Sequence, residues 1–276
     1  MVIDIELFRS RLRDQKYSAK SIYSYLTCMQ QFLSGFKNCE AEAITIELIE
    51  RHVLWLVEEK GISKSYQKQI LASIRKYYDL VLNRKIDLSA IYPKDQSSHL
   101  PSCLFKSDVK VMIEKTKNLK HKVIICLLYS GGLRLTDLLN LALQDIDPVK
   151  NEIHIIEEKA KKERIVMLSP FLSNLLPEYY KKYKPRHFVL EGPGGKAYSE
   201  KSVQQVVRLA GQRAGITAQV TPHCLRHSFA VHLLDSGTDI HYVQELLGHM
   251  SIKTTENYTH NSYISNSNIK SPLDLL

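Results

Sequence analysis

The chain has 276 residues, 44% of them hydrophobic and 24% charged, with a formal net charge of +9 and a pI near 9.1. That length suits two domains with buried cores, and the basic excess favours a polyanionic partner such as nucleic acid. Five scattered cysteines (Cys28, Cys39, Cys103, Cys126 and Cys224) with no CxxC pair argue against a disulfide framework. The start is charged from residue 4 and carries no signal-peptide core, and the longest strongly apolar run, VIICLLY at 123–129, is far short of a membrane span. A cytoplasmic protein with free thiols and no membrane partner is expected.

Residues 1–82 read as helical. A short segment near 3–14 comes first. Ser18 is the expected N-cap of a helix that sets Ile22, Tyr25, Leu26, Met29, Phe32 and Leu33 at helical spacing. TIELIERHVLWLVEEKG starts on Thr45 and ends on Gly61, a C-cap candidate. SKSYQKQILASIRKYYDLVL stripes Ile70, Ile74, Tyr77, Tyr78 and Val81 on one face. Four helices suffice for a small bundle.

Residues 83–106 break this pattern with Pro93, Ser97, Ser98 and Pro101, which places a linker there. We set the domains at 1–90, linker 91–104, and 105–276. The second domain is mixed. SDVKVMIEKT and LKHKVIICLLYSGG read as helices, the latter stopped by Gly131 and Gly132. EIHII and ERIVML read as strands of a hairpin whose turn, EEKAKK, is lysine-rich. YSEKSVQQVVRLAGQRAG is an amphipathic helix, and three further helical pieces cover about 222–259. GPGGKAY at 192–198 reads as a turn, since its spacing does not fit a phosphate-binding loop. The fold class is mainly α with a small β-sheet.

Chemistry-bearing residues gather in the second domain. In TPHCLRHS, Thr221 is an N-cap and Pro222 fits the first helical position, so His223 and Arg226 share the first turn. Free N–H groups there favour an anion. In YSGGLRLTDLLNL, Arg134 follows a glycine pair just ahead of the expected cap Thr136, with Asp137 as a structural partner. Two arginines with planar forks suit the non-bridging oxygens of one phosphate. The hairpin turn offers Lys159, Lys161 and Lys162; cations beside a lysine lower its pKa toward that of a general acid. LGHMSIKTTENYTH sets His249 in a turn and Tyr258 beyond it. A phenol, with a pKa near ~10, needs such neighbours to act as a nucleophile. His223 and His227 could form half a zinc site, but HExxH would need Glu where Cys224 stands. His227, His232 and His241 read as packing or surface.

In chain order these residues give R…K…HxxR…GH…Y, and the sequence resembles the tyrosine recombinases, the lambda-integrase and Xer-like site-specific DNA recombinases. The likeness spans about residues 100–260. It is most specific in TPHCLRHSFAVHLLDSGTDIHYVQELLGHMSIKTTENYTH, 221–260, and in SGGLRLTDLLNL, 130–141. It implies a helical, SAM-like core-binding domain followed by a catalytic domain. By resemblance, the catalytic set is Arg134, Lys159, His223, Arg226, His249 and Tyr258, with Asp137 supporting. Lys159 matches best in KAKKERIVML, although Glu158 and Ala160 stand where the family has glycine; Lys161 and Lys162 are the alternatives.

The implied reaction is cutting and rejoining of DNA through a 3′-phosphotyrosyl intermediate, without metal, nucleotide or other cofactor. The implied partners are double-stranded DNA and further copies of the chain, as dimer and tetramer on recombination sites, with a partner recombinase as an option. The tail after Tyr258 is expected to dock on a neighbouring protomer. The start of the chain at the helical bundle leans toward a simple Xer-like or integron/transposon-type recombinase rather than a lambda-like integrase. A type IB topoisomerase-like nicking–resealing enzyme and a non-catalytic DNA-binding regulator are the alternatives.

Overall fold

The computed structural model describes residues 4–36, 40, 43–93, 103–157, 162–248 and 271–276. The chain divides into two compact units, Met1–Ser98 and His99–Leu276.

The first unit holds four helices: α1 (Ile5–Asp14), α2 (Ala19–Leu33), α3 (Ile46–Glu58) and α4 (Lys64–Leu80). Each begins where a short polar side chain accepts the N–H three residues on: Asp4 from Leu7, Ser18 from Ser21, Thr45 from Leu48 and Ser63 from Tyr66. Such caps satisfy donors that the first turn of a helix leaves without partners. After α3 the chain turns at Gly61, φ +61°, and the Ile62 N–H returns to the Leu56 carbonyl at 3.3 Å. The helices bury Phe8, Leu12, Met29, Phe32, Ile49, Leu56, Ile70, Leu71 and Ile74 in one core. Side chains of that size contribute about 1.5–3 kcal/mol each when fully buried. Three polar side chains inside the bundle donate to backbone carbonyls. Ser73 Oγ donates to the Tyr25 carbonyl at 2.7 Å and Tyr78 Oη to that of Ile44 at 3.0 Å. Gln67 Nε2 donates to the Ile91 carbonyl at 3.1 Å, which ties down the segment after α4.

The second unit contains α5 (Lys106–Lys115), α6 (Leu119–Ser130), α7 (Leu135–Asn140), β1 (Ile146–Asp147), β2 (Glu152–Glu157), β3 (Lys162–Met167), α8 (Pro170–Tyr183), α9 (Glu200–Ala214), α10 (Pro222–Asp235) and α11 (Ile240–Leu247). Helix α6 is the axle. Every residue from Val123 to Ser130 is buried, because α5, α7, α8, α9 and α10 surround it. Helix α10 is buried almost as completely.

The strands form an antiparallel sheet in the order β1-β2-β3, with Ile153 opposite Val166 and Ile155 opposite Arg164. The alternation of strand side chains turns Ile153, Ile155, Arg164 and Val166 inward, while Ile156 and Ile165 face out. Strand β1 and helix α8 were not among the elements read from the sequence. β1 is only two residues long, and α8 carries Pro177 in its interior; a helix-breaking residue masks an otherwise regular apolar stripe.

Residues 271–276 pack on their own unit. Leu273 is buried against α6, α8 and α10. Ser271 Oγ donates to the Ser130 carbonyl at 3.0 Å, and Lys110 Nζ to the Leu276 carbonyl at 2.6 Å. Asp274 Oδ1 accepts from Ser169 Oγ and, at 3.2 Å, from the Phe171 N–H, reinforcing the start of α8.

Candidate active site

The site begins at the end of α6. Gly131 closes the helix, and Gly132 takes φ +57°. A Cβ on Gly132 would lie 2.4 Å from Phe229 Cδ1 of α10, so only glycine fits this turn. The turn delivers Arg134 to the start of α7. The expected cap Thr136 does not cap that helix. Thr136 lies inside the first turn, Arg134 holds the cap position, and Asp137 reaches back so that its Oδ2 accepts the Arg134 N–H at 3.0 Å. The carboxylate satisfies a donor at the positive end of the helix, where an acidic group is most favourable.

Helix α10 supplies the second arginine. Thr221 accepts the Cys224 N–H at 3.2 Å and Pro222 occupies the first turn, as the sequence predicts. His223 is exposed there, whereas Arg226, three residues on, is only 5% exposed.

Both arginines converge on the end of α11, and β3 adds a third. Helix α11 terminates at Gly248, φ +61°, whose N–H returns to the Glu245 carbonyl at 2.9 Å. The next three carbonyls each take one guanidinium. Arg164 Nε donates to Leu246 at 3.1 Å, Arg226 Nη2 to Leu247 at 2.6 Å, and Arg134 Nη2 to Gly248 at 2.7 Å. Arg226 Nη1 also donates to the Gly132 carbonyl at 2.7 Å, closing the circuit back to the glycine turn. The final carbonyls of a helix have no intrahelical donor and carry the negative end of its dipole, so cations are stabilised there. Arg164 further pairs with Asp137 Oδ2.

Arg134, Asp137 and Arg226 are therefore brought together, and His223 lies on the same helical turn as Arg226 but at the surface. Lys159, His249 and Tyr258 lie outside the described residues, as do Lys161 and the whole of 249–270. In sequence, His249 directly follows Gly248.

Arg164 was missed. Its signal was present: along the alternating strand ERIVM, Arg164 stands at an inward position between the outward Glu163 and Ile165. An arginine in a buried register needs an anion and several acceptors, which should have marked it.

The other histidines separate cleanly. His227 and His232 are buried and His241 is exposed. His232 Nδ1 lies 2.8 Å from Tyr129 Oη. Burial pushes the Tyr129 phenol upward and the His232 imidazole downward, so both are held neutral as a packed pair. Among the described residues no three His, Cys, Asp or Glu side chains are grouped to hold a metal ion, and no helix is long and apolar enough to cross a membrane.

Comparison with known proteins gives the family and the fold. Residues 103–264 match the phage integrase family and residues 5–88 the phage integrase N-terminal SAM-like domain. The tyrosine recombinase XerC of Staphylococcus haemolyticus is 28% identical over 278 residues, covering 93% of this chain and 90% of that protein. Two solved structures share the fold. The XerH site-specific recombinase bound to a palindromic difH substrate has a TM-score of 0.76 at 22% identity, covering 92% of this chain and 80% of that one. A lambda integrase dimer bound to a core site has a TM-score of 0.75 at 16% identity, covering 96% and 98%. The chain belongs to the phage integrase family: it is a tyrosine recombinase, a DNA strand-transferring enzyme. These relatives do not favour the topoisomerase-like alternative.

Proposed function

We propose that this recombinase binds double-stranded DNA, recognises a specific site, and cuts one strand with Tyr258. The phenolic oxygen attacks the scissile phosphorus, an O–P bond forms, and the bond from phosphorus to the 5′-oxygen breaks. Lys159 gives its proton to that leaving oxygen. Arg134 and Arg226 hold the charge that builds on the non-bridging oxygens, a task for preorganised donors in a shielded site. His223 or His249 takes the phenolic proton from Tyr258, and both assist by hydrogen bonding. Attack by the 5′-hydroxyl of another strand on the 3′-phosphotyrosyl link reverses each bond change and reseals the DNA. The link conserves the bond energy, so nucleotide and metal are dispensable in this scheme.

The observation that carries the reading is the convergence of Arg134 and Arg226, 92 residues apart in sequence, on the consecutive carbonyls of Gly248 and Leu247. A net basic chain supports phosphate contacts as the source of affinity. Strand exchange between two sites calls for two protomers on each, hence a dimer per site and a tetramer in the complex. The enzyme works in the cytoplasm, with or without a second recombinase.

The test is to incubate the full chain with fragmented host DNA, trap covalent adducts in detergent and sequence the attached ends, beside Tyr258→Phe. Adducts at one recurring, roughly palindromic site, lost in the variant, are expected. Scattered adducts would point to topoisomerase-like action. DNA binding without any adduct from the unaltered chain, either alone or with a host-cell extract that supplies any second recombinase, would overturn the reading.

A further inference from the structure

We propose that Arg164 is a positioning residue for phosphate binding: it fixes Arg134 by tying β3 to Asp137 and to the end of α11. This rests on the reading of Arg134 as a phosphate-holding arginine.

Arg164 sits opposite Ile155 on the inward face of the sheet, two residues before the buried Val166, and it is 8% exposed. A buried guanidinium is costly unless its donors meet acceptors. Here two donors are spent on two different elements, Nε on the Leu246 carbonyl of α11 and Nη2 on Asp137 of α7. One rigid plane thus joins three elements: the strand that bears it, the start of α7 and the end of α11.

Asp137 transmits the effect. The oxygen that accepts from Arg164 is the same Oδ2 that accepts the Arg134 backbone N–H. The orientation of Asp137 sets where Arg134 leaves the glycine turn, and Arg164 sets the orientation of Asp137. The other end of Arg134 is held by the Gly248 carbonyl, and that residue also packs on Arg164: a Cβ on Gly248 would lie 3.1 Å from Arg164 Cδ. Arg164 therefore bears on each of these two attachments of Arg134.

Lysine cannot replace it. An ammonium keeps the charge but lacks the planar fork that spans Leu246 and Asp137 together. Arg164→Lys is expected to retain DNA affinity and lose cleavage, because a misplaced oxyanion donor weakens the transition state more than the ground state.

The experiment is a double-variant cycle read by single-turnover cleavage of the site recovered in the adduct experiment. The four proteins are the unaltered chain, Arg164→Lys, Arg134→Lys and the double variant, with DNA affinity and thermal melting measured alongside. The expected result is a loss of about 10²-fold for Arg164→Lys alone, and no further loss when it is added to Arg134→Lys. A merely structural role would multiply the two losses, and that result would overturn the proposal. So would cleavage by Arg164→Lys at the unaltered rate. If melting shows that Arg164→Lys does not fold, Asp137→Asn takes its place in the same cycle. It keeps the shape of the side chain and weakens the shared acceptor, and it is expected to be equally non-additive with Arg134→Lys. Failure of the unaltered chain to cleave would instead strike at the phosphoryl-transfer reading, and it is seen before any variant is compared.

Discussion

Arg226 and Leu247 meet through a 2.6 Å hydrogen bond from Nη2 to a carbonyl at the end of α11, while Nη1 of the same guanidinium holds the carbonyl of Gly132. One buried arginine therefore fastens the turn that presents Arg134 to the helix end that precedes His249. Its charge faces the negative end of a helix dipole, which offsets part of the cost of burying it.

Replacing Arg226 by lysine keeps the charge but cannot satisfy both carbonyls. Strand cleavage is expected to fall by about 10²-fold or more, the usual cost of losing a preorganised donor to a developing oxyanion. The melting temperature is expected to fall as well, since a buried carbonyl left without a donor costs about 1–3 kcal/mol. Single-turnover cleavage and thermal melting check the two effects separately. Normal cleavage would show that the fork does not hold the phosphate.

Gly132→Ala places a methyl group 2.4 Å from Phe229 Cδ1 at a backbone angle that side chains rarely adopt. Overpacking of a filled core costs about 1–3 kcal/mol, with a further ~1 kcal/mol for the left-handed conformation. A fall in melting temperature with weaker cleavage is expected. An unchanged melt would mean that the turn can move aside, and Arg134 with it.

Acid is expected to destabilise the second unit through His232. Burial lowers its pKa in the folded state, and Lys106 lowers it further, against smaller opposing effects of Asp235 and the Leu104 backbone. The unfolded chain thus binds this proton more readily than the folded one. Its contribution is complete above the ordinary histidine pKa, near ~6.5, and is lost as pH falls from there through the folded value. His232→Gln should flatten the dependence of stability on pH in this window, as followed by denaturant unfolding across a pH series. An equally steep dependence in the variant would move the effect to His121, whose pKa burial also lowers.

Deleting residues 271–276 uncovers the groove that Leu273 fills and removes Asp274 from the start of α8. Loss of a buried leucine costs about 2–5 kcal/mol, so a clear fall in melting temperature is expected. Leu273→Ala alone should reproduce most of it and Asp274→Ala a smaller part. An unaltered melt in the deletion would show that the segment adds nothing to the unit it packs on.

The helical bundle was legible from the sequence because each helix announces itself locally. Ser18, Thr45 and Ser63 precede apolar stripes, and a cap or a stripe depends only on residues a few positions apart. The hairpin was legible for the same reason. Arg134, Asp137 and Arg226 were recognisable from short motifs, which also brought out His223, Lys159, His249 and Tyr258 as candidates. The stop at Gly131 and Gly132 was evident too, although the clash with Phe229 that makes Gly132 necessary was not.

What the sequence determined by itself was the set of helices, the basic character of the chain and the family to which its motifs belong. Tertiary structure alone decided how the arginines are used. Gly132, Arg164, Arg226 and Leu247 lie tens of residues apart, and no local pattern says that one guanidinium will cap a carbonyl from another element. Helices α6 and α10 are buried on nearly all sides, so their sequences carry little periodicity to show which face meets which neighbour. Only when those helices pack do three arginines find the carbonyls of Leu246, Leu247 and Gly248 at the end of α11, because a buried charge must take whatever acceptors the assembled core presents.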